Sequence, residues 1–251
     1  MAIRAIVFDL FDTLVDLLSE NIPAEQHGEH KLPASVRAIY DEVARVADVS
    51  FDAFAAALGE GARSFAESHY AQEREVSTDL RFQDLARRLG IAAPELPRTL
   101  TEVHMGLLRS QVRFPDHHAE LLAALRTRVK LGLCSNFSHS PTALEVLETG
   151  GFRPHLDAVV ISDAHGLRKP RPEIFEQVLC DLDVSPRETL HVGDSLRADV
   201  GGAAPCGIST VWVTRRVRDP EASLAAHPGA RPDYVVSDLA ELAKLLDGLG
   251  A

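Results

Sequence analysis

Residues 4–14 read Arg-Ala-Ile-Val-Phe-Asp-Leu-Phe-Asp-Thr-Leu, and the order of polarity within them decides the fold. An apolar run from Ala5 to Phe8 stops at Asp9. So short a run is the pattern of a strand buried on both faces, with a polar residue delivered at its carboxyl end. Open α/β sheets gather ligands at that end. A carboxylate placed directly after such a strand needs a partner, because burying an unpaired charge is costly.

Working outward, the same pattern recurs at residues 129–135 (VKLGLCS), 157–162 (DAVVIS), 189–194 (TLHVGD), 209–214 (STVWVT) and 233–237 (DYVVS). Helix signals lie between these runs. One helix opens at Ser140, with Ser140 as the cap, Pro141 in the first position and Gly150 or Gly151 as the stop. Another follows Pro172 and carries Ile174, Phe175, Val178 and Leu179 at helical spacing. Strand, crossover helix and parallel strand in alternation predict an α/β fold with a doubly wound, Rossmann-like parallel sheet, built from residues 1–15 and 116–251.

Residues 16–115 have a different texture. Val36, Ile39, Tyr40, Val43 and Val46, then Phe51, Phe54, Leu58 and Phe65, repeat at helical spacing, so this stretch reads as a helical insertion. Its opening, NIPAEQHGEHKLP at residues 21–33, is polar and broken by Pro23, Gly28 and Pro33, and reads as a loop.

Composition narrows the function classes. Of the 251 residues, 45% are apolar and 25% charged, the profile of a globular enzyme-sized chain. A formal charge of -11 repels nucleic acid and anionic membranes. No apolar run approaches the length of a membrane span, and the first residues run into aspartates rather than a signal-peptide cleavage region, so a cytoplasmic location is expected. Cys134, Cys180 and Cys206 lack metal-ligand spacing and, being odd in number, form no closed disulfide framework; they read as buried thiols.

Four segments carry the chemistry. Asp9-Leu10-Phe11-Asp12-Thr13 resembles a nucleophile motif of the form D-x-D-x-T. Ser135-Asn136 follows the strand VKLGLC, Lys169 stands in GLRKPRPEIF, and Asp194 and Asp199 stand in HVGDSLRAD. In this order at strand ends, they resemble the motif set of the haloacid dehalogenase-like hydrolase superfamily. The insertion matches the position of that family's helical cap, which closes over the core and supplies specificity contacts.

The resemblance implies an aspartyl nucleophile at Asp9 and an Mg²⁺ ion held by Asp9, Asp194 and the backbone carbonyl of Phe11. Ser135, Asn136 and nearby amides would bind phosphoryl oxygens, and Lys169 would neutralise the charge growing there. Asp199, one helical turn beyond Asp194, would order a metal-bound water or the Lys169 ammonium. Thr13 would brace the nucleophile loop through its hydroxyl, and His139 lies close enough to contact substrate. Arg168, Arg171 and Arg197 read as surface charges. So do His27, His30, Lys31, His69, Arg74 and Arg81 of the insertion.

One position departs from the family. The second aspartate of the nucleophile motif, the general acid of its phosphatases, is replaced here by Phe11, while Asp12 reads as a turn residue. A positioned acid is typically worth about 10²–10⁴ in rate. The expected activity is therefore Mg²⁺-dependent hydrolysis of a small phosphorylated metabolite whose leaving group needs little protonation. The alternatives are 2-haloacid dehalogenation, since dehalogenases of the family carry an aromatic residue at this position, and a weakly active phosphoryl-binding or regulatory protein. The expected partner is a small anionic substrate, with no nucleic acid and no membrane, acting on a monomer or homodimer.

Overall fold

The computed structural model describes the backbone of residues 2–18, 24–27 and 30–249 and the side chains of residues 2–18 and 34–249. The first strand, β1 (Ala5–Phe8), is buried along its whole length, as its unbroken apolar run requires. Full burial of a side chain such as Phe8 contributes on the order of 1.5–3 kcal/mol. Short strands β2 (Asp16–Leu17) and β5 (Val112–Arg113) pair with each other, and β3 (Ala24–His27) pairs with β4 (His30–Pro33). The remaining strands are β6 (Lys130–Ser135), β7 (Ala158–Ile161), β8 (Thr189–Gly193), β9 (Ser209–Val213) and β10 (Tyr234–Val236).

Six strands form one parallel sheet in the order β10-β9-β8-β1-β6-β7. From β1 the chain builds outward through β6 and β7, then returns to the other side of β1 and continues through β8, β9 and β10. That doubly wound path reverses between β1 and β8. Such a reversal leaves a crevice at the carboxyl ends of the two strands, and Asp9 and Asp194 follow directly on those ends.

The chain divides into two compact units, one of residues up to Asp16 and from Arg113 onward, the other of Leu17–Val112. The inserted unit is a helical cap of α1 (Ala34–Val46), α2 (Phe51–Ser68), α3 (Thr78–Arg88) and α4 (Leu96–Arg109). Its core joins Ile39 and Val43 to Phe54, Phe82, Leu85 and Leu100. Ser50 and Ser77 cap α2 and α3 by accepting the amides of Ala53 and Leu80.

The first unit carries α5 (His118–Leu125), α6 (Ser140–Thr149), α7 (Ser162–His165), α8 (Pro172–Leu182), α9 (Gly201–Ala203), α10 (Pro220–Ala226) and α11 (Leu242–Leu249). On one sheet face, Ile174, Phe175, Val178, Leu179 and Leu182 of α8 pack on Val7, Cys134 and Val160. Among the described residues no helix is long and apolar enough to cross a membrane.

Three expectations are corrected. The stretch 21–33 is not a plain loop, because Ala24–His27 pairs antiparallel with His30–Pro33. Two residues containing a glycine between short runs signal a hairpin, a cue that the polarity of the stretch obscures. The side chains of His27, His30 and Lys31 lie outside the described residues. At α6 the cap is His139 rather than Ser140, with Nδ1 accepting the Thr142 amide at 3.3 Å. The Ser140 amide instead donates to Asp163 at 2.7 Å. Of the three free cysteines, Cys134 is buried and Cys206 half-buried, but Cys180 is exposed on α8.

Candidate active site

The site grows from the end of β1. The ladder with β8 continues one residue past the strand, the Asp9 amide donating to the Val192 carbonyl at 2.9 Å. The chain then turns through Asp12, whose backbone is left-handed at φ 57°. Aspartate tolerates this conformation better than most side chains, which makes Asp12 the turn residue its position predicted. Its carboxylate accepts Arg216 Nε at 3.1 Å. The loop is held from two further sides, by Arg215 donating to the Thr13 carbonyl at 3.2 Å and by buried His118 donating Nδ1 to the Leu14 carbonyl at 2.8 Å.

Lys169 is the hub. Its side chain is 2% exposed, and its ammonium donates to Asp9 Oδ1 at 2.6 Å, Asp199 Oδ1 at 2.7 Å and the Cys134 carbonyl at 2.6 Å. All three donor positions of the ammonium are thus used. Burial works against the lysine charge, but Asp199 and Asp9 outweigh it and hold the group protonated well above the usual lysine range. Asp199 shows the mirror image: burial resists its charge, and Lys169 and His191 hold its carboxyl below the usual carboxylate range.

Asp199 sits in a single π-helical turn, Leu196–Val200, rather than an ordinary helical turn beyond Asp194. Its Oδ2 accepts the Ser195 amide at 3.0 Å and its Oδ1 faces His191 Nε2 at 2.9 Å. The approach is possible because residue 193 is glycine: a β-carbon there would lie 2.2 Å from Asp199 Cγ.

The anion-binding expectations fare unevenly. Asn136 is spent on the backbone of Lys169, donating to its carbonyl at 2.9 Å and accepting its amide at 2.7 Å, so it shapes the lysine loop. His139 has Nδ1 committed to Thr142 at the start of α6. The Thr13 hydroxyl is buried without a hydrogen-bond partner among the described residues, so it does not brace the loop as expected; Arg215 and His118 do that. The Ser135 hydroxyl is buried and partnerless in the same way. Buried hydroxyls are normally satisfied, and two orphans, one in the loop after β1 and one at the end of β6, suit an oxygen-rich ligand. Phe11 stacks tilted on Phe137, with ring centroids 4.7 Å apart.

A cation fits the carboxylates. Oxygens of Asp9, Asp194 and Asp199 lie within 4.8 Å of one another. Like charges so close repel by roughly 3–4 kcal/mol per pair at an effective dielectric of about 20. Burial pushes the Asp9 carboxyl up to about 6 although Lys169 pulls against it. Burial together with the charges of Asp9 and Asp199 pushes Asp194 up to about 8. Both effects describe acidic oxygens short of positive charge, the donor set a hard divalent cation prefers. With both oxygens of Asp199 already engaged, Asp9 and Asp194 are the ones left to ligate.

His191, His118 and Arg215 escape sequence reasoning. His191 has a legible signal, as the one ionisable residue inside an otherwise apolar strand. His118 and Arg215 have none, since both reach the loop after β1 from distant segments.

Comparison with known proteins fits this geometry. Over 152 residues the chain is 37% identical to a phosphoserine phosphatase of Thermus thermophilus, covering 60% of this chain and 57% of that protein. Over 168 residues it is 31% identical to a pyrimidine 5′-nucleotidase of Escherichia coli, covering 66% and 69%. In fold it is similar to a 2-haloacid dehalogenase from Pseudomonas syringae, at a TM-score of 0.71 and 21% identity, covering 98% of this chain and 99% of that one. The match to the first relative spans little more than half of its length. The family profile described as haloacid dehalogenase-like hydrolase matches residues 3–207, and with its crevice built from the motifs at Asp9, Ser135, Lys169 and Asp194 the chain belongs to the haloacid dehalogenase-like hydrolases.

Proposed function

We propose that this chain is an Mg²⁺-dependent phosphatase of a small phosphorylated metabolite, acting through an aspartyl-phosphate on Asp9. The observation that carries the reading is the single ammonium of Lys169 bridging Asp9 and Asp199, with Asp194 beside them. A carboxylate so clamped is fixed in orientation and backed by a buried positive charge, which favours attack on an anionic phosphoryl group. Asp9 and Asp194, with the Phe11 carbonyl, would hold the Mg²⁺, which when bound offsets the repulsion between carboxylate and phosphoryl oxygens.

The residues of the chain divide the remaining work. The Ser135 and Thr13 hydroxyls donate to phosphoryl oxygens, satisfying two otherwise orphaned groups. Asn136 fixes the backbone that presents Lys169. Phe11 replaces the proton donor with an aromatic wall against Phe137, so the favoured substrates are those whose leaving group departs without protonation, such as acyl phosphates and phosphoanhydrides.

Phe11 also supports a second reading, 2-haloacid dehalogenation, in which Asp9 displaces halide from carbon and no leaving-group acid is needed. The pair Asp194 and Asp199 argues against it, since a halide displacement has no use for a cation site. The deciding experiment measures phosphate release from acyl, aryl and alkyl phosphates and halide release from 2-haloacids, each with Mg²⁺ or with chelator. Phosphate release that requires Mg²⁺ is the expected result. Chelator-resistant halide release without phosphate release overturns the proposal, and absence of both leaves the phosphoryl-binding reading in its place.

A further inference from the structure

His117 and His118, at the start of α5, meet Asp238, which lies between β10 and α11, and all three belong to the same compact unit. A ring nitrogen of each histidine and a carboxylate oxygen of Asp238 lie within 4.8 Å of one another. Zn²⁺ takes nitrogen and oxygen ligands at about 2.0–2.2 Å, which sets neighbouring ligands of a tetrahedral site about 3.3–3.6 Å apart. Small side-chain rotations bring the three groups to that spacing.

His118 is prepared for such a role. Its side chain is fully buried, and Nδ1 donates to the Leu14 carbonyl at 2.8 Å. A neutral imidazole that donates from one nitrogen carries a lone pair on the other. That other nitrogen, Nε2, is buried and has no hydrogen-bond partner among the described residues. Burial pushes the imidazole below the usual histidine range despite the pull of the Leu14 carbonyl, so at neutral pH the lone pair is not protonated. A histidine that ligates a metal typically gives its second N–H to a backbone carbonyl or carboxylate, which fixes tautomer and ring orientation. His118 has this arrangement in place.

The other two groups leave a way in. The side chains of His117 and Asp238 are 48% and 30% exposed, with Nε2 2.7 Å from Oδ1. Oδ1 also accepts the Ala240 amide at 2.8 Å, which holds the carboxylate in place. Arg215 faces the same carboxylate, its Nε 3.9 Å from Oδ2. Its charge is met by fully buried Asp16, 2.5 Å from Nη1, and Nη2 donates to the Thr13 carbonyl. Two imidazoles and one carboxylate suit Zn²⁺ and its neighbours, whereas Mg²⁺ favours oxygen throughout.

We propose that His117, His118 and Asp238 form a binding site for a divalent transition-metal ion of the Zn²⁺ type, with Nε2 of both histidines and an Asp238 oxygen as protein ligands and water on the exposed side. On binding, His117 gives up its hydrogen bond to Asp238 and keeps its proton on Nδ1. The ion would tie the start of α5 and the segment before α11 to the loop after β1, through the His118 bond to Leu14. The site does not rest on the phosphatase reading.

Isothermal titration of the full chain with ZnCl₂ in excess MgCl₂ tests the proposal. One equivalent of Zn²⁺ should bind, and Asp9→Asn should bind it equally well, which separates this site from the crevice carboxylates. Loss of an outer partner of a metal site costs about 10–100-fold in affinity, so loss of a ligand in His117→Gln or Asp238→Asn should cost at least about 10-fold. Asparagine keeps an oxygen for the Ala240 amide; if Asp238→Asn nonetheless fails to fold, His117→Gln, at a half-exposed side chain, carries the comparison. In nitrogen NMR of the imidazoles, ZnCl₂ should shift His118 Nε2 while Nδ1 keeps its proton, and MgCl₂ alone should not. The proposal is overturned if the parent binds no Zn²⁺, if binding is lost in Asp9→Asn, or if the His118 signals do not move. Binding of equal strength in His117→Gln and Asp238→Asn would place the ion on other histidines and overturn it as well.

Discussion

His191 and Asp199 meet inside the core, with Nε2 2.9 Å from Oδ1, the same oxygen that accepts the Lys169 ammonium. Because Asp199 stays ionised, its oxygen only accepts, so His191 carries its proton on Nε2 and donates. Burial pushes the imidazole below the usual histidine range, against the pull of Asp199, which keeps it neutral. A neutral donor on Asp199 leaves that carboxylate its charge for Lys169, and Lys169 its position on Asp9.

The relationship yields a graded prediction. His191→Leu removes the donor and should lower kcat by about 10–100-fold, the usual cost of losing an orienting partner one step behind a reacting group. His191→Gln restores an N–H in a similar place and should recover part of the loss. Steady-state kinetics on the best phosphate substrate measures both. Equal losses in the two variants would assign His191 to packing against Phe175 alone.

Asp9→Asn keeps the shape of the side chain and removes its nucleophilicity. Phosphate release should fall by roughly 10³-fold or more with the fold intact by circular dichroism. Near-normal turnover would remove the aspartyl nucleophile.

Gly193→Ala places a β-carbon 2.2 Å from Asp199 Cγ. Neither the strand nor the buried carboxylate has room to yield, so the variant should lose about 1–3 kcal/mol in urea denaturation and most of its activity. A stable, active Gly193→Ala would contradict the packing described for this end of β8.

Phe11→Asp restores a proton donor at the position the family's phosphatases use. Turnover of alkyl phosphates, with their poor leaving groups, should rise relative to that of acyl phosphates, by up to about 10²-fold if the new carboxyl is well placed. The comparison is made as a ratio of kcat/KM values. An unchanged ratio would mean that leaving-group protonation does not limit the proposed turnover.

His104 links stability of the inserted unit to pH. Burial, aided by the Arg81 charge, sets its folded value of about 4 below the ordinary value of 6.5, so between those limits the unfolded chain binds the proton more readily. The His104 contribution to stability should be complete above about pH 6.5, fall as pH drops and be fully lost below about 4. The contribution lost amounts to about 3 kcal/mol for a shift of this size. Urea denaturation across that range should show a shallower decline for His104→Phe than for the parent, and parallel curves would sink the assignment.

Much of the architecture is legible in the chain itself, because parallel strands buried on both faces leave an uninterrupted apolar signature. Each run of the six-stranded sheet, from Ala5–Phe8 to Tyr234–Val236, is short, mainly apolar and followed by a polar residue or turn. The segment 21–33 hides its hairpin because its residues are polar and its pairing is carried by the backbone. The exposure of Cys180 is hidden for another reason: burial depends on which face of α8 meets the sheet, a property of the packed helix and not of the residue type.

What the sequence by itself determined is the set of strand-end groups at Asp9, Ser135 and Asp194, with Lys169 in the loop before α8, since a doubly wound sheet brings the carboxyl ends of its strands together wherever the intervening segments run. Only the tertiary structure decided what those groups touch. Asn136 turned to the lysine backbone, and the Thr13 and Ser135 hydroxyls were left without partners among the described residues. His191 proved to stand behind Asp199 and His118 behind the Leu14 carbonyl. Hydrogen bonds between separate segments follow from the direction of side chains in a packed core, and no local pattern in the chain encodes that direction.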